Sequence, residues 1–460
     1  MQQVMNFINR LTRKTIAICA IVILSLPYIT HAGIIRDAEI EDYLRELSTP
    51  IYAAAGLQPS QVRMFIVQDS AINAFVAGGA NMFLHTGLIT ETDNPEMLLG
   101  VIAHETGHIA GGHLLRGQGA FKNAQIGSIL SYLVGAAAIA AGGAQAGAGI
   151  IAAGNHASTR GILSYTRSNE QAADQAALSY FDANQLSSEG LISMFERLRR
   201  EEKRVIGANA DAYARTHPLS QSRIEHIRAH LEHSSFKHNH LPDAVQQRHQ
   251  RIRAKLVGFL DQHGETFRTY PPSDTSAPAL IARTIAYSER AQDARALEQI
   301  EALQQQLPED PYMHELRGHV LLQQGKVNDA IDAYKTALHY APYSALIQSD
   351  YADALLAANT PEGNNEALRQ LTLSVRKDPT YHQSWRRLSI AEGRAGNIGK
   401  AELALAELAA LGSDIDALER HIERAEKALG VSSEDTPRLQ DLKHFARQLK
   451  EREDDKGGLF

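Results

Sequence analysis

At 460 residues the chain is long enough to bury two or three separate cores. A formal net charge of −7 with 22% charged residues describes an ordinary soluble surface and does not point to a nucleic-acid binder. A single cysteine, Cys19, excludes a disulfide framework within the chain.

In chain order, Arg10, Arg13 and Lys14 precede an apolar run from Thr15 to Ile29, and Thr30-His31-Ala32 offers a small-x-small cleavage site. Residues 1–32 are therefore expected to be a cleaved secretory signal. At about 15 residues the run is short for a membrane span. Cys19 leaves with the leader, so the exported chain has no thiol and suits an oxidising compartment. From Asp37 to Leu57, the residues Ile40, Tyr43, Leu44, Leu47 and Ile51 recur at helical spacing. Gln61 to Gln68, Ala71 to Val76 and Met82 to Leu84 read as three strands, with Gly78-Gly79 at a turn, and predict a small β-meander. An edge strand there could pair with an extended peptide, or serve only as scaffold.

The next stretch, Val101 to His108, carries the chemistry. As a helix it places His104 and His108 one turn apart on one face, where two imidazoles can share a metal ion such as Zn²⁺. Glu105 follows the first imidazole, so its carboxylate can take a proton from a water activated there. Leu98, Leu99, Val101, Ile102 and Ile109 are the apolar flank that would bury this helix. His113, five residues past His108, faces elsewhere and reads as a supporting residue.

Asn123 to Thr159 contains no Asp, Glu, Lys or Arg. If Glu170 joins His104 and His108 at one metal, both flanks lie on one side of a membrane, and two spans do not fit the length. The stretch reads instead as an apolar helical hairpin or lid, covering the cleft or touching a membrane surface peripherally, with a plain buried helix pair as the alternative. Beyond it, Ala172, Ala173, Ala176 and Ala177 predict a close-packed helix with Glu170 and Asp174 on one face. Glu170 can be the third ligand, and Asp174, a turn away, can accept from a ligand imidazole.

Together, Asn73-Ala74-Phe75, Gly78-Gly79, Gly87-Leu88, His104-Glu105-Thr106-Gly107-His108 and Arg167-Ser168-Asn169-Glu170-Gln171-Ala172-Ala173-Asp174 resemble the M48 zinc metallopeptidases. Ala172 replaces the second acidic residue usual in that family's Glu-x-Glu-Ala-Asp motif. The resemblance implies one Zn²⁺ per chain held by His104, His108 and Glu170, Glu105 as catalytic base, and Asp174 as a catalytic-site carboxylate. It also implies a mainly helical, zincin-like α+β domain over residues 33–268.

His217, restricted by Pro218, could stabilise an oxyanion or fill the fourth zinc position as a gate. The histidines at 226, 230, 233, 238, 240 and 249 lie on a polar stretch and read as solvated linker residues, with a second metal site as the alternative. Pro242 to Gln262 predicts one more amphipathic helix, and Tyr270-Pro271-Pro272-Ser273 a linker.

Residues 274–460 repeat with a period of about 34 residues, the signature of tetratricopeptide units stacked as an all-α superhelix. Pro311 to Pro342 is one unit. Its neighbours carry Tyr287 to Pro308, Ala352 to Pro379 (with an insertion at Thr360–Gly363) and Trp385 to Leu408. Leu439 to Arg452 would cap them. An exported peptidase of this family fused to such repeats implies a periplasmic enzyme that assists or degrades outer-membrane β-barrel precursors. By the same analogy it would bind the outer-membrane assembly machinery through the repeats. The alternative is a periplasmic chaperone or adaptor with a mostly closed zinc site.

Overall fold

The computed structural model describes residues 33–112, 167–204, 217, 219–260, 264–430 and 435–457. The expectations for the leader, His113, the uncharged stretch 123–159 and Pro218 lie outside those residues. Helix α1 (Ala38–Ala54) starts at Asp37, whose carboxylate accepts from the Ile40 amide at 3.0 Å. It buries Ile40, Tyr43, Leu44, Leu47 and Ile51, the face that its spacing predicts.

Strands β1 (Ile34–Ile35), β2 (Arg63–Val67), β3 (Ala74–Ala77) and β4 (Asn81–His85) form one sheet in the order β1-β2-β4-β3. The small sheet is as expected, but it is not a meander. Only β3 and β4 make a hairpin, whereas β4 runs parallel to β2 with Phe83 opposite Phe65. Burial explains the order: every residue of β4 is buried, so it takes the centre, leaving β1 and β3 as the edges. Gly78 and Gly79, at φ 59° and 99°, supply the left-handed backbone of the β3–β4 turn.

Helices α2 (Thr86–Glu91), α3 (Pro95–Ala110), α4 (Arg167–Ala183), α5 (Glu189–Arg204), α6 (Gln221–His233), α7 (Asp243–Leu260) and α8 (Glu265–Thr269) complete this half. One core joins Leu98, Val101 and Ile102 of α3 to Leu178 of α4, Phe195 of α5, Ile227 of α6 and Leu256 of α7.

The reading of His249 as a solvated linker residue is corrected. It lies on α7 and is fully buried. Its Nε2 donates to the Thr92 carbonyl at 2.8 Å, so Nδ1 accepts from the Tyr43 hydroxyl at 2.8 Å. Burial holds its pKa down to about 4, against the opposing pull of the Thr92 carbonyl. The unfolded chain takes up this proton near pH 6.5 and the folded chain only near pH 4. Stability from this group is therefore complete above pH 6.5 and is lost as pH falls toward 4, by about 3 kcal/mol. His249→Gln should flatten that part of a plot of urea midpoint against pH.

The remaining helices pair off. They are α9 (Ala277–Ser288) with α10 (Asp293–Gln306), α11 (Pro311–Gln323) with α12 (Val327–Tyr340), and α13 (Ala345–Ala358) with α14 (Pro361–Lys377). Two further pairs are α15 (His382–Arg394) with α16 (Ile398–Leu411), and α17 (Ile415–Leu429) with α18 (Thr436–Gly457). Small buried residues such as Ala296, Ala330, Ala352 and Ala367 let partners cross closely, and the Tyr334 ring lies on Gly318. The insertion at Thr360 becomes the first turn of α14, with Thr360 capping the Gly363 amide. Helix α17 was not expected; it is the partner of the expected cap, α18. Among the described residues no helix is long and apolar enough to cross a membrane.

The two halves interlock. Gly258 of α7 faces α9 so closely that a methyl there would stand 2.8 Å from the Ala282 carbonyl oxygen. Arg251 of α7 reaches Asp310 at 2.7 Å, and the Tyr312 hydroxyl donates to Asp42 of α1 at 2.7 Å. Ala38 at the start of α1 packs into the apolar core of the repeats.

Candidate metal centre

Helix α3 is set by Asn94, whose side chain caps the Met97 amide, and by Pro95 in the first turn. Two close crossings fix its position. A methyl on Gly107 would fall 2.8 Å from the Ala173 carbonyl oxygen of α4, and one on Gly100 2.8 Å from the Leu191 Cα of α5. Glycine at 107 thus lets α4 lie against the histidine-bearing turn.

The structure brings all six expected site residues together, each at most 1% exposed: His104, Glu105, His108, Glu170, Asp174 and His217. His104 Nε2 and His108 Nε2 are 3.2 Å apart. Glu170 spans them, with Oε2 3.5 Å from His104 Nε2 and Oε1 3.4 Å from His108 Nε2. His217 Nδ1 stands 3.5 Å from His104 Nε2 and 3.2 Å from Glu170 Oε1. One donor atom from each of these four residues fits within 4.8 Å of the others, close enough to hold a metal ion. Behind them, His104 Nδ1 is 2.9 Å from Asp174 Oδ1, which turns Nε2 toward the other donors.

Glu105 lies beside this set. Neither of its carboxylate oxygens has a hydrogen-bond partner among the described residues, and His217 Nε2 is 3.4 Å from Oε1. Burial raises its carboxyl above the ordinary range, opposed by His217 and His104. Burial acts the same way on Glu170, but the three surrounding imidazoles outweigh it and hold that carboxyl well below its usual range. Burial also works against a charged His104, yet Asp174 and Glu170 overcome it and lift the imidazole to about 9; burial takes His108 down to about 3. The carboxylates thus stabilise positive charge at the centre, where a proton and a metal ion compete for the same donors.

One residue here was missed from sequence. Arg223 of α6 is 3% exposed, donates to both Asp174 oxygens at 2.6 and 2.8 Å, and approaches Glu170 Oε2 at 2.9 Å. A signal existed. Arg223 is in phase with the buried Ile224 and Ile227, and two carboxylates on an alanine-rich helix face call for a buried cation.

A helix-borne pair of histidines, a carboxylate donor from a second helix and a buried glutamate whose oxygens accept no hydrogen bond from a described residue fit a metallopeptidase type of centre. Residues 35–231 match Peptidase family M48, and residues 282–345 and 321–388 match tetratricopeptide repeats. The β-barrel assembly-enhancing protease of Escherichia coli (strain K12) is 26% identical over 439 residues, spanning 92% of this chain and 86% of that protein. Its namesake in Yersinia pestis is 24% identical over 392 residues, 83% of this chain and 78% of the relative. Mitochondrial metalloendopeptidase OMA1 of Schizosaccharomyces pombe is 26% identical over 195 residues, 42% of this chain and 54% of the relative. The chain thus joins a peptidase M48 domain to tetratricopeptide repeats, and these similarities indicate a metalloendopeptidase.

Proposed function

We propose that the chain is a periplasmic zinc endopeptidase that assists assembly of outer-membrane β-barrel proteins or degrades misassembled ones. The zinc reading rests on donor spacing. Tetrahedral bonds of roughly 2.0–2.1 Å set ligands about 3.3 Å apart, and the separations here run from 3.2 to 3.5 Å. Imidazole and carboxylate donors without thiolate also suit zinc, and the orphaned Glu105 oxygens leave a hydrogen-bonding demand that a water would meet.

In this reading His104, His108 and Glu170 hold the ion, and Asp174 keeps His104 oriented. When bound, zinc supplies Lewis acidity that activates a water and polarises a carbonyl. Glu105 accepts the proton of the attacking water and delivers it to the leaving amine. The relatives' names support the client class, and the repeats would engage clients or the assembly machinery. The leader supports export, with residues 33–268 as peptidase and 274–460 as docking array.

His217 is the proposed gate, since its Nδ1 already stands among the ligand atoms and its Nε2 faces the base. The same contact favours a second reading, a periplasmic chaperone or adaptor whose site stays shut. One experiment separates them: turnover of an unfolded β-barrel precursor by wild type and His217→Ala at equal zinc content, with and without chelator. A chelator-sensitive rate that rises in the variant supports the gated peptidase. No cleavage by either supports the adaptor, and a fall in the variant with zinc retained rules out a purely inhibitory His217.

A further inference from the structure

A cavity of about 390 Å³ lies away from the metal centre, where α7 and the first residues of the peptidase half meet the first helices of successive repeat pairs, α11, α13 and α15. Three cations line it, and each is already matched by carboxylates. Arg36 pairs with Glu41 and Asp378, Lys255 with Asp37 and Glu39, and Arg387 with Asp350 and Asp353. Glu315 has no such partner. Its Oε2 is buried without a hydrogen bond among the described residues. Tyr334, 2% exposed, also lines the cavity, and its hydroxyl forms no hydrogen bond with a described residue. Burial drives the Glu315 carboxyl well above its ordinary range; Lys255 opposes this, and Asp37, Asp350 and Glu39 add to it.

The cavity is therefore lined by more carboxylates than cations, and it holds a buried Glu315 oxygen and a Tyr334 hydroxyl with unused hydrogen-bonding capacity. An anion would have to break existing pairs, whereas a cation would complete one. We propose that this cavity receives the ammonium or guanidinium group of a lysine or arginine side chain on an extended polypeptide lying along the repeats, with Glu315 as its counter-charge and Tyr334 as an added acceptor. This rests on the reading that the repeats engage polypeptide clients, and deepens it by stating which side chain they select.

The test uses the full-length chain carrying Glu105→Gln, so that the probe survives. A labelled Gly/Ser peptide with one central lysine and an acetylated N-terminus is titrated by fluorescence anisotropy, beside the same peptide carrying glutamine. The lysine peptide is expected to bind at least about tenfold more tightly, in line with a charge-assisted hydrogen bond. Added Glu315→Gln should erase that preference, added Tyr334→Phe should reduce it, and salt should weaken it. Glutamine at 315 keeps the side-chain volume and deprives no neighbour of a hydrogen bond, and Tyr334→Phe removes only an unpartnered hydroxyl, so both variants should fold. Equal binding of the two acetylated peptides, absence of binding by both, or a lysine preference surviving Glu315→Gln would overturn the proposal. So would a preference seen only with unacetylated peptides, which would assign the cavity to an N-terminal ammonium. Zinc-dependent cleavage of an unfolded protein by wild type is measured in parallel. Its absence would tell against the peptidase reading while leaving the cavity result intact.

Discussion

Replacing Glu105 with glutamine is expected to reduce hydrolysis of an unfolded protein by at least two orders of magnitude, roughly the 10²–10⁴-fold attributed to a positioned acid–base group. The metal should stay. The residues that could hold it, His104, His108, Glu170 and His217, do not include Glu105, and the amide keeps the shape of the side chain. Stability should hold or rise, because the change removes a buried carboxylate whose oxygens have no hydrogen-bond partner among the described residues. The measurement pairs bound-metal content with turnover on one preparation. Undiminished turnover at full occupancy would remove Glu105 from the chemistry, and loss of metal together with activity would make it part of the binding set.

Arg223→Met is expected to cost about 3–5 kcal/mol, since removing one partner leaves buried charges uncompensated. Two carboxylates depend on this guanidinium: Asp174 through a bidentate pair and Glu170 through Nη1. Without it, Asp174 would lose the principal group holding its carboxyl below the ordinary range against burial, and the two carboxylates of α4 would repel each other with no cation between them. Metal occupancy should fall with stability. Arg223→Lys should recover only part of the loss, since a single ammonium cannot form the planar fork. Denaturation midpoints and metal content of the two variants decide the matter, and a wild-type midpoint in Arg223→Met would show that the carboxylates need no cation.

Much of the centre was legible because helical spacing is a geometric rule. His104 and His108 must share a face, as must Glu170 and Asp174, whatever surrounds them. The repeats were legible for a related reason, since each unit must bury the same small residues at the same offsets. What escaped was decided by tertiary packing. Arg223 resembles any surface arginine until two carboxylates are placed beside it, and His249 any polar histidine until Tyr43 and Thr92 close around it. The strand order escaped because the residues of β2, β3 and β4 give strand existence but not neighbours. Which strand takes the centre depends on how completely each is covered, and β4 is covered throughout. Helix α17 lies beyond the last readable repeat, and its Leu418, Ile422 and Ala425 are buried only by packing against both α16 and α18.

Helix α7 is held along its whole length. Near its start Gln246 grips Glu96 in the first turn of α3, and one turn on His249 holds the Thr92 carbonyl just before that helix begins. Toward its end Gly258 is seated on α9, the first helix of the repeats. Mechanically this is a single beam clamped at both ends, with the array as load and the histidine-bearing helix as the part that feels it. Leu256 and Ile252 of the same helix fill the core shared with α3. A pull on the repeats therefore has a packed route to the helix that carries His104 and His108, and a cut in the linker after α7 would leave that route in place.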